Sequence, residues 1–163
     1  MITIDSQIWI YYFDPNALEN GNVSAWMKLN LKSKEILLSM IIPLEVAHNL
    51  YKIPKISPDQ IEKLLFRWIT QKNIMILDAT QEEMISALQM LKFYRSKGIR
   101  GRDCLILSTM NLVNVEILVT HDKNLLVLDK FKRIDPVFNP PLILEKNQLF
   151  NVEEYQKKLK SMK

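Results

Sequence analysis

The stretch MITIDSQIWIYYF (residues 1–13) places a carboxylate, Asp5, between two apolar runs. MITI (1–4) has the composition of a short buried strand, and the residues after Asp5 change to helical spacing. Because burying a charge is costly, Asp5 is either the N-cap of that helix or a functional group at the end of the first strand. Its position alone leaves both explanations open.

Length and composition indicate one ordinary globular domain. The chain has 163 residues, 48% of them hydrophobic and 25% charged, so it can bury a real core and is not expected to be disordered. A single cysteine excludes an internal disulfide and favours a reduced, cytoplasmic setting. We expect no membrane segment and no secretion signal, because no apolar run reaches the required length and the N-terminus lacks a basic region.

The net charge of +4 permits an anionic partner without requiring one. Much of the excess lies in KKLKSMK (157–163), which a solvated helix end explains equally well.

Predicted strands and helices alternate along the chain. The predicted strands are MITI (1–4), EILLSM (35–40), NIMILD (73–78), VEILVT (115–120) and a weak RIDPVF (133–138), placed at an edge because of Pro136. The first predicted helix covers 17–32 and is loosened near Gly21, and the second covers 41–52. Two more helices begin with capping boxes at Ser57 and Thr80, and the last is the apolar DCLILSTMNLV (103–113). This order predicts a mostly parallel sheet with helices on both faces.

Acidic residues follow the predicted strands. In parallel α/β sheets ligands bind beyond the carboxyl ends of the strands, which is where Asp5, Glu45, Asp78, Asp103 and Asp122 fall. Each has a structural explanation, since acids favour the first turn of a helix and Asp5 or Asp122 suits an N-cap. However, Glu45 lies in an apolar turn and Asp103 directly precedes CLIL, so neither resembles a freely solvated residue.

Four of these motifs together resemble the PIN-domain family. They are TIDSQIW (3–9), PLEVAHNL (43–50), GIRGRDCLIL (98–107) and LVTHDKNLL (118–126), in the family's order over about residues 1–138. The resemblance implies a Rossmann-like α/β PIN domain, with a mostly parallel sheet of four to five strands ordered 3-2-1-4-5. Residues 139–163 are then a C-terminal extension, a short strand or loop followed by a helix that Asn151 caps.

The resemblance also implies an activity. Strands one and four become neighbours, which brings Asp5 and Asp122 together and leaves Asp78 at an edge as a turn residue. The implied function is a divalent-metal-dependent endoribonuclease, similar to the VapC-like toxins of type II toxin–antitoxin pairs. The catalytic metal ligands would be Asp5, Glu45, Asp103 and Asp122. Closely spaced carboxylates require a cation to offset their repulsion, and an oxygen ligand set without cysteine favours Mg²⁺ or Mn²⁺.

Further residues are assigned to the substrate or to its surroundings. Thr120 is expected to bond a carboxylate or substrate, or to form a local turn, and Arg100 and Arg102 to hold RNA phosphates, or simply to lie in a solvated turn. An antitoxin is a candidate partner, and a homodimer is expected through WIYYF (9–13). The alternative function is a catalytically inactive PIN-like module that binds RNA or protein.

Other chemically suggestive residues receive structural interpretations. His48 stands three residues after Glu45, but a lone pair of this kind is interpreted as ordinary helix sequence. His121 is assigned no proton-transfer role, and Cys104 is interpreted as a small buried side chain. Trp9, Trp26 and Trp68 are assigned to the core or to a dimer surface, because basic residues do not alternate with them.

Overall fold

The computed structural model describes residues 1–54 and 56–161. Within them the strands are β1 (Ile2–Ile4), β2 (Ile36–Ser39), β3 (Ile74–Leu77), β4 (Ile117–Val119), β5 (Lys132–Asp135) and β6 (Leu142–Leu144). The helices are α1 (Ser6–Phe13), α2 (Asn20–Asn30), α3 (Ile41–Leu50), α4 (Pro58–Ile69), α5 (Gln81–Tyr94), α6 (Gly101–Leu112), α7 (Lys123–Leu126) and α8 (Val152–Ser161). No helix in the described ranges combines the length and apolar character needed to cross a membrane.

All six strands form one sheet in the order β3-β2-β1-β4-β5-β6. β1 to β5 are parallel and β6 is antiparallel to β5. The predicted α/β PIN fold and the order 3-2-1-4-5 are therefore confirmed. Ile4 is in register with Val119, so the residues that follow β1 and β4 leave the sheet side by side.

The prediction that the fifth strand lies at an edge is wrong, and the sheet has six strands rather than four to five. β6 pairs with β5 from Arg133 to Asp135 and covers its outer side. Pro136 does not prevent this, because β5 ends one residue before it and so loses no ladder donor. The outer strand on the other side is β3, as predicted.

A continuous apolar core fills both sides of the sheet. β1 and β2 are fully buried strands, and α6 is the central helix that its apolar sequence predicts, with six buried residues. Trp9, Trp26 and Trp68 are all buried, which confirms their assignment to the core. Trp9 of α1 packs on Trp68 of α4 with ring centroids 4.6 Å apart.

Three local predictions need correction. α2 begins at Asn20, so Gly21 lies in its first turn and does not break a longer helix. Glu45 is the fifth residue of α3 and lies beyond its first turn, where the helix dipole has little effect. The box at Ser57 forms completely, but at Thr80 only the threonine bonds the backbone of Glu83, whose own side chain is buried against Thr109 of α6.

The chain after residue 138 packs on the domain. β6 extends the sheet, and Asn151 caps α8 as predicted, its Oδ1 accepting a hydrogen bond from the Glu154 N–H at 3.1 Å. A second apolar cluster joins this segment to the rest through Leu126, Phe138, Leu144 and Tyr155. The division of the chain at 138 stays a prediction, and the last two residues of the basic tail KKLKSMK lie outside the described residues.

Candidate metal site

Asp5 stands at the carboxyl end of β1 and is only 7% exposed. Its backbone N–H donates to the Val119 carbonyl at 2.9 Å, which continues the pairing of β1 with β4 by one residue. Although Asp5 occupies the N-cap position of α1, its carboxylate makes no capping bond to that helix. Instead Oδ2 accepts a hydrogen bond from Thr120 at 2.8 Å, and Oδ1 accepts one from Ser6 at 3.3 Å. The N-cap explanation therefore does not account for this carboxylate.

Thr120 joins the two acidic residues that follow the central strands. Its hydroxyl donates to Asp5 and accepts a hydrogen bond from the Asp122 N–H at 3.0 Å. Both expectations for Thr120, a carboxylate partner and a local turn, are thus met by one hydroxyl group. Asp122 in turn accepts from the Asn124 N–H at 2.7 Å and caps α7.

Glu45 and Asp103 come from α3 and α6. Arg102 forms an ion pair with Glu45, whose side chain is 11% exposed whereas that of Arg102 is 58% exposed. The Asp103 carboxylate accepts a hydrogen bond from the Arg100 N–H at 2.8 Å, so its helix-capping role is real. Arg100 is itself an exposed residue.

The four acids share one electrostatic environment. The pKa of Asp5 is raised to about 6, chiefly by burial and further by the negative charges of Asp103, Asp122 and Glu45, while the Thr120 hydrogen bond lowers it. Burial also raises the pKa of Asp103, again with help from Asp122 and Glu45. The predicted residues therefore come together at the carboxyl edge of the sheet, where a cation would relieve their repulsion.

The donor set fits a hard divalent cation. Asp5, Glu45, Asp103 and Asp122 offer only carboxylate oxygens, the ligands that Mg²⁺ and Mn²⁺ prefer. Across residues 1–54 and 56–161, however, no three His, Cys, Asp or Glu side chains already enclose a position for a metal ion. Glu45 is engaged by Arg102 and Asp103 by the Arg100 N–H. A cation would therefore compete with these internal partners for the acids.

The other candidates lie apart from this cluster. Asp78 is exposed beyond the edge strand β3, and His48 is exposed on α3. Cys104 is buried, as expected. The sequence did not identify Ser6 as a hydrogen-bond partner of Asp5. It also did not identify the polar group of His121, Asp135 and Tyr155, whose contacts join residues 14 to 34 positions apart in the chain. No local sequence pattern signals contacts of that range.

The raised pKa of Asp5 predicts how the stability of the metal-free protein depends on pH. The folded state holds the proton more tightly than the unfolded chain, so this contribution is complete below about pH 4 and is lost as the pH rises through about 6. The rise in the pKa of Asp5 corresponds to a contribution of about 3 kcal/mol to the free energy of unfolding. In EDTA, the unfolding free energy of the wild type should fall by that amount relative to Asp5→Asn between pH 4 and 7.5. If the unfolding free energies of the wild type and of Asp5→Asn changed in parallel with pH, the raised pKa of Asp5 would be contradicted.

Comparisons with known proteins agree with this architecture. The family model described as PIN domain matches residues 2–131. Among solved structures, Mycobacterium tuberculosis VapC20, a sarcin-ricin loop cleaving toxin, is similar with 11% identity and a TM-score of 0.65, covering 76% of this chain and 91% of its own.

Two further solved structures show the same fold. VapBC2 from Rickettsia felis, solved with a promoter DNA fragment, has 22% identity and a TM-score of 0.57, covering 75% of this chain and 89% of its own. FitAcB from Neisseria gonorrhoeae has 18% identity and a TM-score of 0.57, covering 83% of this chain and 98% of its own. No curated protein sequence matches the chain.

Proposed function

Because the chain belongs to the PIN-domain family, we propose that it is a divalent-metal-dependent endoribonuclease and the toxin of a type II toxin–antitoxin pair, acting in the cytoplasm. The observation that carries the proposal is the meeting of Asp5, Glu45, Asp103 and Asp122 at the carboxyl edge of the sheet, where burial and then the charges of the other three acids raise the pKa of Asp5. The structural likeness to VapC20, VapBC2 and FitAcB supports the toxin assignment.

The four carboxylates would hold Mg²⁺ or Mn²⁺. Such a cation orients a water molecule, lowers its pKa and stabilises the negative charge that develops on a phosphodiester. The contribution of the protein would be to bring carboxylates from four different elements to one edge of the sheet, where a cation would displace the internal partners of Glu45 and Asp103. Thr120 orients Asp5 by donating to its Oδ2, which leaves less rotational freedom to lose when the acid binds a cation.

Arg100 and Arg102 would hold RNA phosphates next to the acids. Both are exposed. Arg100 is the N-cap residue of α6, and Arg102 lies in its first turn, immediately before Asp103. Arg102 also neutralises Glu45, so it has a second role within the cluster. Arg100 has no side-chain partner of this kind among the described contacts, which makes it the cleaner probe of phosphate binding.

Replacing Arg100 by Gln should weaken RNA binding and flatten its salt dependence. The slope of log K against log salt concentration is negative, and losing one phosphate contact to single-stranded RNA reduces its magnitude by about 0.7. Fluorescence anisotropy of labelled RNA in EDTA measures binding without cleavage. Lys72→Gln, an exposed change before β3, is the matched control and should behave as the wild type. An unchanged slope in Arg100→Gln would remove this residue from the interface.

An antitoxin and a second copy of the chain are the proposed protein partners. The expected dimer contact, WIYYF, is not available as a whole, because Trp9 is buried and Ile10 to Phe13 pack partly against the same core. The apolar side chains exposed on α5 are better placed, since Ile85 and Leu88 are 49% and 60% exposed. We therefore move the proposed homodimer contact from α1 to α5.

The dimer is tested by sedimentation. Wild-type protein should sediment as a dimer at micromolar concentration, and Leu88→Glu should sediment as a monomer because it places a charge in the proposed contact. A wild-type monomer would contradict the proposed dimer. A dimer that survives Leu88→Glu would place the contact elsewhere.

RNA cleavage by the purified protein, with Mn²⁺ or Mg²⁺ and with EDTA, tests the proposed nuclease. Metal-dependent cleavage is expected. The alternative, a binding module without catalysis, is favoured by one observation, namely that Glu45 and Asp103 already have internal partners. RNA binding without cleavage of any substrate under either metal would select that alternative. An antitoxin gene beside the coding gene would separately support the toxin assignment.

A further inference from the structure

A second polar group lies directly beside the candidate metal site. His121 follows Thr120 in the loop after β4, and its Nδ1 lies 2.8 Å from Asp135 Oδ2 at the end of β5. The Tyr155 hydroxyl of α8 lies 3.0 Å from the same carboxylate oxygen and 3.0 Å from His121 Nδ1. It also lies 3.2 Å from the backbone carbonyl of His121. Two separate elements, β5 and α8, therefore converge on one residue of the loop.

The group is buried. Asp135 is 0% and Tyr155 4% exposed. The other oxygen of Asp135 accepts a hydrogen bond from the Val137 N–H at 3.0 Å, so both oxygens of this buried carboxylate have partners. The Tyr155 ring is held edge-on by Phe138 and Phe150, with centroids 5.4 and 5.1 Å away.

The protonation of the tyrosine is fixed by its surroundings. Burial, and then the charge of Asp135, raise the pKa of Tyr155 well above its ordinary range. Its hydroxyl therefore stays protonated, and the backbone carbonyl of His121 and the Asp135 carboxylate share its single proton as acceptors.

His121 is the link between this buried group and the acids. Thr120, which holds Asp5, precedes it, and Asp122 follows it. A displacement of the His121 backbone would move both neighbours. A purely apolar contact of α8 with the domain would need only an aromatic ring, whereas Tyr155 directs its hydroxyl to the loop.

We propose that Tyr155 is a positioning residue for the metal site, which together with Asp135 fixes the His121 backbone and thereby sets Thr120 and Asp122. The inference rests on the proposed function. The family match ends at residue 131, so the inference assigns a role in the metal site to the segment that follows the match. Tyr155 acts through the loop and contacts none of the four acids itself in the described hydrogen bonds.

The test compares two changes in α8. Tyr155→Phe removes only the hydroxyl and keeps the ring against Phe138 and Phe150. Leu159→Ala, the control, weakens the packing of α8 in the same apolar cluster without touching the polar group. Mn²⁺ affinity is measured by calorimetry, and RNA cleavage by kcat and KM. Removing a direct outer partner of a metal ligand lowers metal affinity by about 10- to 100-fold, and Tyr155, which acts through the loop, is expected at the lower end of that range.

Tyr155→Phe should bind Mn²⁺ about 10-fold more weakly and lose kcat, with KM for RNA unchanged. Leu159→Ala should lower the melting temperature but keep the wild-type affinity. Wild-type affinity in Tyr155→Phe would overturn the inference, and so would an equal loss in Leu159→Ala, since that would show only a structural role. A wild type that neither binds Mn²⁺ nor cleaves RNA would instead overturn the proposed function, and this inference with it.

Discussion

Replacing Asp103 by Asn should reduce metal-dependent RNA cleavage by more than about 100-fold, because loss of an outer partner alone already costs 10- to 100-fold. Asp103 lies in the first turn of α6, where burial, with help from the charges of Asp122 and Glu45, raises its pKa. The change removes a negative charge and one of the four proposed ligands. Cleavage rates of a labelled RNA in Mn²⁺, compared with Asp78→Asn, provide the measurement.

The same variant should fold normally. An asparagine oxygen can still accept the hydrogen bond from the Arg100 N–H, so the cap of α6 is kept. Removing one charge also relieves repulsion on Asp5, and the metal-free variant should be as stable as the wild type or more stable. Urea unfolding in EDTA measures this. A loss above about 1 kcal/mol, the typical worth of a cap, would favour the structural explanation of Asp103.

Replacing Trp9 by Ala should destabilise the fold by about 3–5 kcal/mol, the usual cost of deleting a large buried aromatic side chain. Trp9 is 1% exposed and its ring lies 4.6 Å from Trp68 and 5.7 Å from Phe13, centroid to centroid. The Trp9 side chain joins α1, which begins directly after Asp5, to α4. Its loss leaves a cavity between the two helices that neither Trp68 nor Phe13 can fill without rearrangement.

Urea unfolding of Trp9→Ala measures this cost, with Leu18→Ala as the control. Leu18 is 94% exposed, so its truncation should change the unfolding free energy by less than about 0.5 kcal/mol. A loss below about 1 kcal/mol in Trp9→Ala would mean that the aromatic group is not part of a close-packed core.

The alternation of apolar strands with helices predicts a mostly parallel sheet, and the resemblance of four motifs to the PIN-domain family implies its order, 3-2-1-4-5. Once that order is given, the carboxyl ends of adjacent strands lie together, and so do the acids that follow them. The register of Ile4 with Val119 then brings Asp5 to Thr120 without further information. Asp78 lies outside the cluster of acids for the same reason, because it follows β3, which is an outer strand of the sheet.

Other features depend on packing that no local pattern contains. Glu83 has the right position for a capping box, but burial of its side chain against Thr109 of α6 competes with the cap. β6 pairs with β5 because the chain turns back after Asn139, and three apolar residues do not reveal their partner strand. The contacts of Tyr155 with His121 and Asp135 arise only after α8 docks.

Calorimetric titration with Mn²⁺ tests the central claim most directly, because it needs no knowledge of the RNA target. The wild type should bind Mn²⁺ saturably near neutral pH, because the cation can displace the proton of Asp5, whose pKa is raised by burial and by the neighbouring charges. Asp5→Asn should bind at least about 10-fold more weakly. A wild type without saturable binding, or a variant with unchanged affinity, would contradict the assignment of these carboxylates as a metal site.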